Sequence, residues 1–145
     1  MMDAEILRPI LTLVGWTIVM WVWMYATRIP AMLRDKNIDM AGMVGTTGRT
    51  LDDILPPQVQ WKAHNYNHLH EQPTLFYAVA LTLVLLGAGN GTNALLAWAY
   101  VGLRILHSLV QVTSNKVAVR FTIFLLASLC LIPLWANAFM LAFRL

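Results

Sequence analysis

Four apolar stretches, separated by polar connections rich in glycine and proline, dominate the chain. They run from about Ile6 to Thr27, from about Pro73 to Ala88, from Thr92 to Val112 and from about Phe121 to Phe143. At a helical rise of about 1.5 Å per residue, the first, third and fourth each reach across a hydrocarbon core of roughly 30 Å. The second is short by itself, and the residues before it suggest how it gains length. Pro56 and Pro57 suit a helix start, where a missing N–H costs nothing. A polar helical stretch from about Pro57 would then continue through Pro73, which would kink it at the membrane interface and free carbonyls beside polar side chains. Gly87, Gly89, Asn90 and Gly91 predict a tight, uncharged turn between the second and third stretches. The pattern predicts an all-α integral membrane protein, a four-transmembrane-helix bundle with residues 1–145 as one domain. Its long connection, about 28–56, carries Gly42, Gly45 and Gly48 without a sustained period. It reads either as a cap over a cavity or as an irregular surface loop.

Composition agrees. Hydrophobic residues make up 59% of the chain and charged residues 12%, about half the charged share of a soluble domain. The net charge of +3 comes from few residues and points away from nucleic acid as a partner. The single cysteine, Cys130, lies in an apolar run and excludes an intrachain disulfide framework.

The basic residues orient the spans. Arg28, Arg34, Lys36, Arg49 and Lys62 lie between the first two, and Lys116 and Arg120 between the last two, with only Arg8 and Arg144 on the other side. The excess predicts that both long connections face the cytoplasm and both termini lie outside. The first span lacks a small-residue cleavage site and reads as a retained anchor.

Against this background Arg104 and His107 stand out, because an arginine within a span costs roughly 2.5 kcal/mol or more unless it has a partner, a wet cavity or an anion. They share one helix face, which Gln111 continues. Before the second span, Trp61, His64/Asn65, His68, Glu71/Gln72 and Leu75 fall on one helical stripe. Glu71 is expected to pair with Arg104, leaving His107, Gln111 and Arg120 toward a ligand. His64, His68 and Glu71 have spacings compatible with metal ligands. Four histidines in all are too few for the histidine boxes of membrane oxygenases, so no metal is assigned. No nucleophile–histidine–acid set and no phosphate-binding glycine loop is present.

These residues resemble those of the membrane-associated proteins in eicosanoid and glutathione metabolism, the MAPEG family. The resemblance rests on Asn65-Tyr66-x-His68-x-x-Glu71-x-Pro73-x-Leu75-Phe76-Tyr77, on Arg104-x-x-His107-Ser108 and on Asn115-Lys116-Val117-x-x-Arg120, which occur in order. It covers most of the chain from Trp61 onward and, more loosely, the first span. It implies a MAPEG-like homotrimer of four-helix protomers, of a bacterial type set in the inner membrane, with glutathione as co-substrate in a cytoplasm-facing site between protomers. Carried over, Asn65, His68, Glu71, Arg104, His107, Gln111 and Arg120 would bind glutathione, and Arg120 would be the catalytic residue that stabilises its thiolate. His68 stands where the family usually has asparagine, and Gln111 where tyrosine is common. Phe121 and Phe124 stand where the family's transferases can supply a hydroxyl to the sulfur. The implied partners are the bilayer, a lipophilic small-molecule substrate and further copies of the chain. The function expected is that of a glutathione transferase or peroxidase acting on lipophilic electrophiles or lipid hydroperoxides. The alternative is a non-catalytic membrane module that binds lipid or an anionic metabolite in the same polar crevice.

Overall fold

The computed structural model describes residues 4–36, 38–39 and 41–144, and they form helices with no strand among them. The order is α1 (Leu7–Arg34), a short 3-10 turn (Gly48–Leu51), α2 (Pro57–His68), α3 (Gln72–Leu85), α4 (Thr92–Thr113) and α5 (Val117–Phe143). Three of them, α1, α4 and α5, are long and apolar enough to cross a membrane. In the first, the hydroxyls of Thr12, Thr17 and Thr27 bond back to the carbonyls of Arg8, Leu13 and Trp23. Polar groups are thereby satisfied within the helix itself, which apolar surroundings demand. The fourth expected span is represented by α3, whose 14 residues rise about 21 Å, less than the hydrocarbon core.

The expected single helix from Pro57 through Pro73 is two helices. The chain leaves helical geometry after His68: Leu69 and His70 donate to the carbonyls of Asn65 and Asn67, and Glu71 adopts φ −90°, ψ −102°. Pro73 then sits in the first turn of α3. A helix running straight through would drive the proline ring into the carbonyl of Leu69 and lack an N–H there, so the break falls ahead of the proline. Two boundaries also move outward. α1 continues past Thr27 to Arg34 with Pro30 inside it, and α5 begins at Val117 rather than Phe121. The long connection therefore starts after Arg34, and the parts of it at 37 and 40 lie outside the described residues.

α4 is the central helix and packs on α1, α2 and α5, while α3 packs on α1 and α5. Its buried stripe, Ala94, Ala97, Val101, Arg104, Ser108 and Gln111, follows steps of three and four. The stripe begins with small apolar residues, which let neighbouring helices approach, and ends with polar ones. Phe76 of α3 stacks on Tyr100 of α4 at 4.5 Å between ring centroids, both fully buried. At the apolar end the turn between α3 and α4 closes on the start of α1: Ile6 donates to the Gly89 carbonyl (2.9 Å) and the Glu5 N–H to Asn90 Oδ1 (2.7 Å). A Cβ at Gly89 would lie 3.0 Å from Ile6 and 3.1 Å from Ala4, so a larger residue would require those side chains to give way by a few tenths of an ångström.

At the polar end, Asn115 takes φ +50° between α4 and α5 and donates to the Val110 carbonyl. Asparagine tolerates that left-handed turn, which sends α5 back along α4 and carries Arg120 with it. The long connection is tied down on this side. Arg28 donates to the Gly48 carbonyl (2.6 Å), Gln60 donates to the Leu51 carbonyl, and His64 bonds Asp52 (3.1 Å). Leu51 and Leu55 of the connection are themselves buried.

Candidate functional site

Polar side chains from α2, the Leu69–Glu71 break, α4 and α5 meet at this end of the bundle. α2 buries Asn65, whose Nδ2 donates to Ser108 Oγ on α4 at 2.5 Å. Asn65 Oδ1 is buried without a partner. Arg104, 1% exposed, donates from Nη2 to the main-chain carbonyl of His68 at 3.1 Å. Its guanidinium carbon lies 5.6 Å from the Phe124 ring centroid, and its Nε and Nη1 are buried with no hydrogen bond. A charged donor in that condition is costly and marks a polar site rather than ordinary packing.

The expected Glu71–Arg104 pair does not form. Because the helix breaks before Glu71, its side chain leaves the buried stripe, is 67% exposed, and accepts from His68 Nδ1 at 2.6 Å. Gln72 turns inward instead: it donates to Ser128 of α5 (2.8 Å) and accepts from the Tyr100 hydroxyl (3.4 Å). The single stripe expected from a continuous helix is thus divided at the break.

An open crevice of about 390 Å³ is lined by His64, His68, Glu71, His107, Gln111, Val117, Arg120, Phe121 and Phe124. Five of the seven expected site residues line it. Asn65 and Arg104 do not; they form the wall behind it. Buried atoms without partners recur here, at Gln111 Oε1 and Arg120 Nε. The His68 ring packs 4.9 Å from His107 and stacks 5.5 Å from Phe124 at 28°. Burial holds the His68 imidazole below its ordinary value of 6.5; its bond to Glu71 opposes that, and the charge of Arg104 reinforces it. The Thr122 hydroxyl is committed to the Ala118 carbonyl (3.0 Å), and α5 offers the crevice Val117, Arg120 and two phenyl rings.

Ser108 and Gln72 were not expected as hydrogen-bonding partners. Ser108 lies four residues after Arg104 on one helix face, which was legible; Gln72, half-buried, was on the expected stripe, but its partners Ser128 and Tyr100 follow from how α3 packs. Among the described residues no three His, Cys, Asp or Glu side chains gather in a way that could hold a metal ion. The crevice combines a guanidinium, a carboxylate-bonded imidazole, a primary amide and two phenyl rings. Such a set suits a ligand with anionic, cationic and apolar parts.

Compared with known proteins, the chain matches the model of the MAPEG family over residues 6–140. No curated protein and no solved structure matches it.

Proposed function

The chain belongs to the MAPEG family, and from that premise we propose that it is a membrane-bound glutathione-dependent enzyme. It conjugates glutathione to lipophilic electrophiles or uses it to reduce lipid hydroperoxides. The observation that carries this reading is the crevice, where Glu71 and Arg120 face a common space in front of the buried, under-bonded Arg104. Glutathione offers two carboxylates and one ammonium. Arg120 and Gln111 suit the anionic part and Glu71 the ammonium, with His68, His107, Asn65 and Arg104 shaping the wall. A guanidinium near the sulfur favours the thiolate, the reactive form, and this is the catalytic role given to Arg120. The phenyl rings of Phe121 and Phe124 offer an apolar surface to an acceptor arriving from the bilayer.

The same reading takes the protein as a homotrimer with its site on the cytoplasmic side of a bacterial inner membrane and both termini outside. Exposed apolar side chains along α5, including Leu125, Leu129, Ile132 and Trp135, suit lipid or a neighbouring copy. α3 would serve as the fourth span, with α2 at its cytoplasmic interface. Residues 1–145 act as one domain.

The deciding experiment is equilibrium binding of glutathione to detergent-solubilised protein. Saturable binding at or below millimolar concentration is expected, and its absence there would overturn the proposal. One observation favours a second reading, that of a non-catalytic module for a lipid headgroup or anionic metabolite: Phe121 and Phe124 place no hydroxyl in the crevice. On that reading Glu71→Gln lowers oligomer stability. A normal oligomer that has lost glutathione binding would exclude it.

A further inference from the structure

α2 ends at His68, and the following turn brings Glu71 back against that last residue. In the 2.6 Å bond between His68 Nδ1 and Glu71 Oε2, a carboxylate can only accept, so the proton sits on Nδ1 and Nε2 carries a lone pair. Among the described residues the His68 side chain makes no other hydrogen bond. Its ring is held by the bond at one edge, by stacking on Phe124 and by the tilted His107 ring. An imidazole fixed this way cannot turn without losing one of those contacts.

The charged and titratable groups facing this ring are Glu71 from its own connection, Arg104 and His107 from α4, and Arg120 from α5. The two guanidiniums and burial disfavour a proton on it, while Glu71 favours one. The balance leaves the imidazole neutral near neutral pH, so it gains a proton most readily when an anion appears beside it at the same moment.

We propose that His68 and Glu71 form a proton-accepting dyad: His68 Nε2 takes the proton of a thiol bound in the crevice, and Glu71 steadies the imidazolium. This rests on the glutathione reading above and adds the group that receives the thiol proton. The S–H bond breaks, an N–H bond forms, and the electron pair stays on sulfur beside Arg120. When the thiolate attacks an electrophilic carbon, the imidazolium returns its proton to the group that leaves or to the carbanion that forms. His68 is then the base and Glu71 the positioning residue, as in other carboxylate–imidazole pairs.

The test uses full-length protein in detergent, saturated with glutathione, with bound thiolate read from its ultraviolet absorbance across pH. S-methylglutathione, which has no thiol proton, reports separately on fold and binding. In the wild type the thiolate should form well below the pH at which free glutathione ionises. His68→Asn keeps a polar side chain without a basic nitrogen, and should move the midpoint of thiolate formation to higher pH, so that less thiolate is present at neutral pH. Glu71→Asp keeps a carboxylate for the ligand's ammonium but draws it back from His68 Nδ1; it gives an intermediate loss and serves should His68→Asn fail to fold. Unchanged thiolate titration in both variants, with S-methylglutathione still bound, would overturn the dyad and leave the glutathione reading intact. Failure of the wild type to bind S-methylglutathione would remove the glutathione reading, and the dyad's role with it.

Discussion

Arg104, in the middle of α4, donates a hydrogen bond to the main-chain carbonyl of His68, the last residue of α2. Carbonyls at a helix end lack intrahelical donors and carry the negative end of the helix dipole, so a cation is favourable there. The bond fixes the end of α2 against α4 and sets the ring of His68 at the crevice.

This relationship makes Arg104→Met informative. Methionine keeps most of the buried volume and removes the charge. Removing a buried cation that has no carboxylate partner also removes its desolvation cost, which offsets the lost bond to the His68 carbonyl. The melting temperature in detergent should therefore change little, while glutathione affinity falls by about tenfold as the wall behind the crevice loses its charge. Calorimetric melting with binding titration measures both. An equal loss of stability and binding would make Arg104 a packing residue only.

Asn65 and Ser108 join α2 to α4 through a buried hydrogen bond. Asn65→Ala and Ser108→Ala should each destabilise the protein by about 1–2 kcal/mol, since each strands a buried partner. In a double-mutant cycle the two should couple by about 1 kcal/mol. Purely additive losses would show that the contact adds nothing of its own.

Arg120 faces the crevice with a buried Nε that has no partner. Arg120→Ala should lower turnover with a model electrophile by about 100-fold. Arg120→Lys should recover part of it, because an ammonium restores charge without the planar fork. Steady-state kinetics across glutathione concentrations separates the loss in kcat from the loss in KM. Turnover equal to the parent in Arg120→Ala would remove Arg120 from the chemistry.

His68 gives stability a pH dependence of definite sign. Its folded-state pKa lies below 6.5, chiefly through burial, so between the two values the unfolded chain binds more protons than the folded one. Stability contributed by the neutral ring is complete above the ordinary histidine value and is lost as pH falls through the folded-state value. Melting temperature should accordingly decline on acidification below about 6.5, and His68→Asn should make that decline shallower. A steeper decline in the variant would mean that the sign is wrong.

Much of the site was readable before any fold was known. Arg104, His107 and Gln111 follow helical spacing in an apolar run, and all three are buried on one face of α4. The spacing fixes which way they point relative to one another, because helix geometry is local. The partner of Glu71 was not readable. A continuous helix would have held it on the stripe facing Arg104; the break before Pro73 released it toward His68 and turned Gln72 inward. A proline announces that a helix will be disturbed nearby. Where the chain yields depends on the neighbours that satisfy the freed backbone groups, here Arg104 at the His68 carbonyl.

By itself the sequence determined the helical class, the three long apolar helices, the tight glycine turn and the polar face of α4, because these follow from residue type and spacing along one helix. Tertiary structure decided which polar residues touch. It put Asn65 on Ser108, His68 on Glu71 and the His68 ring on Phe124, and set Arg104 behind the crevice instead of within it. Such pairings depend on how one helix is rotated and shifted against another, and that is settled by packing and by the need of every buried polar group for a partner.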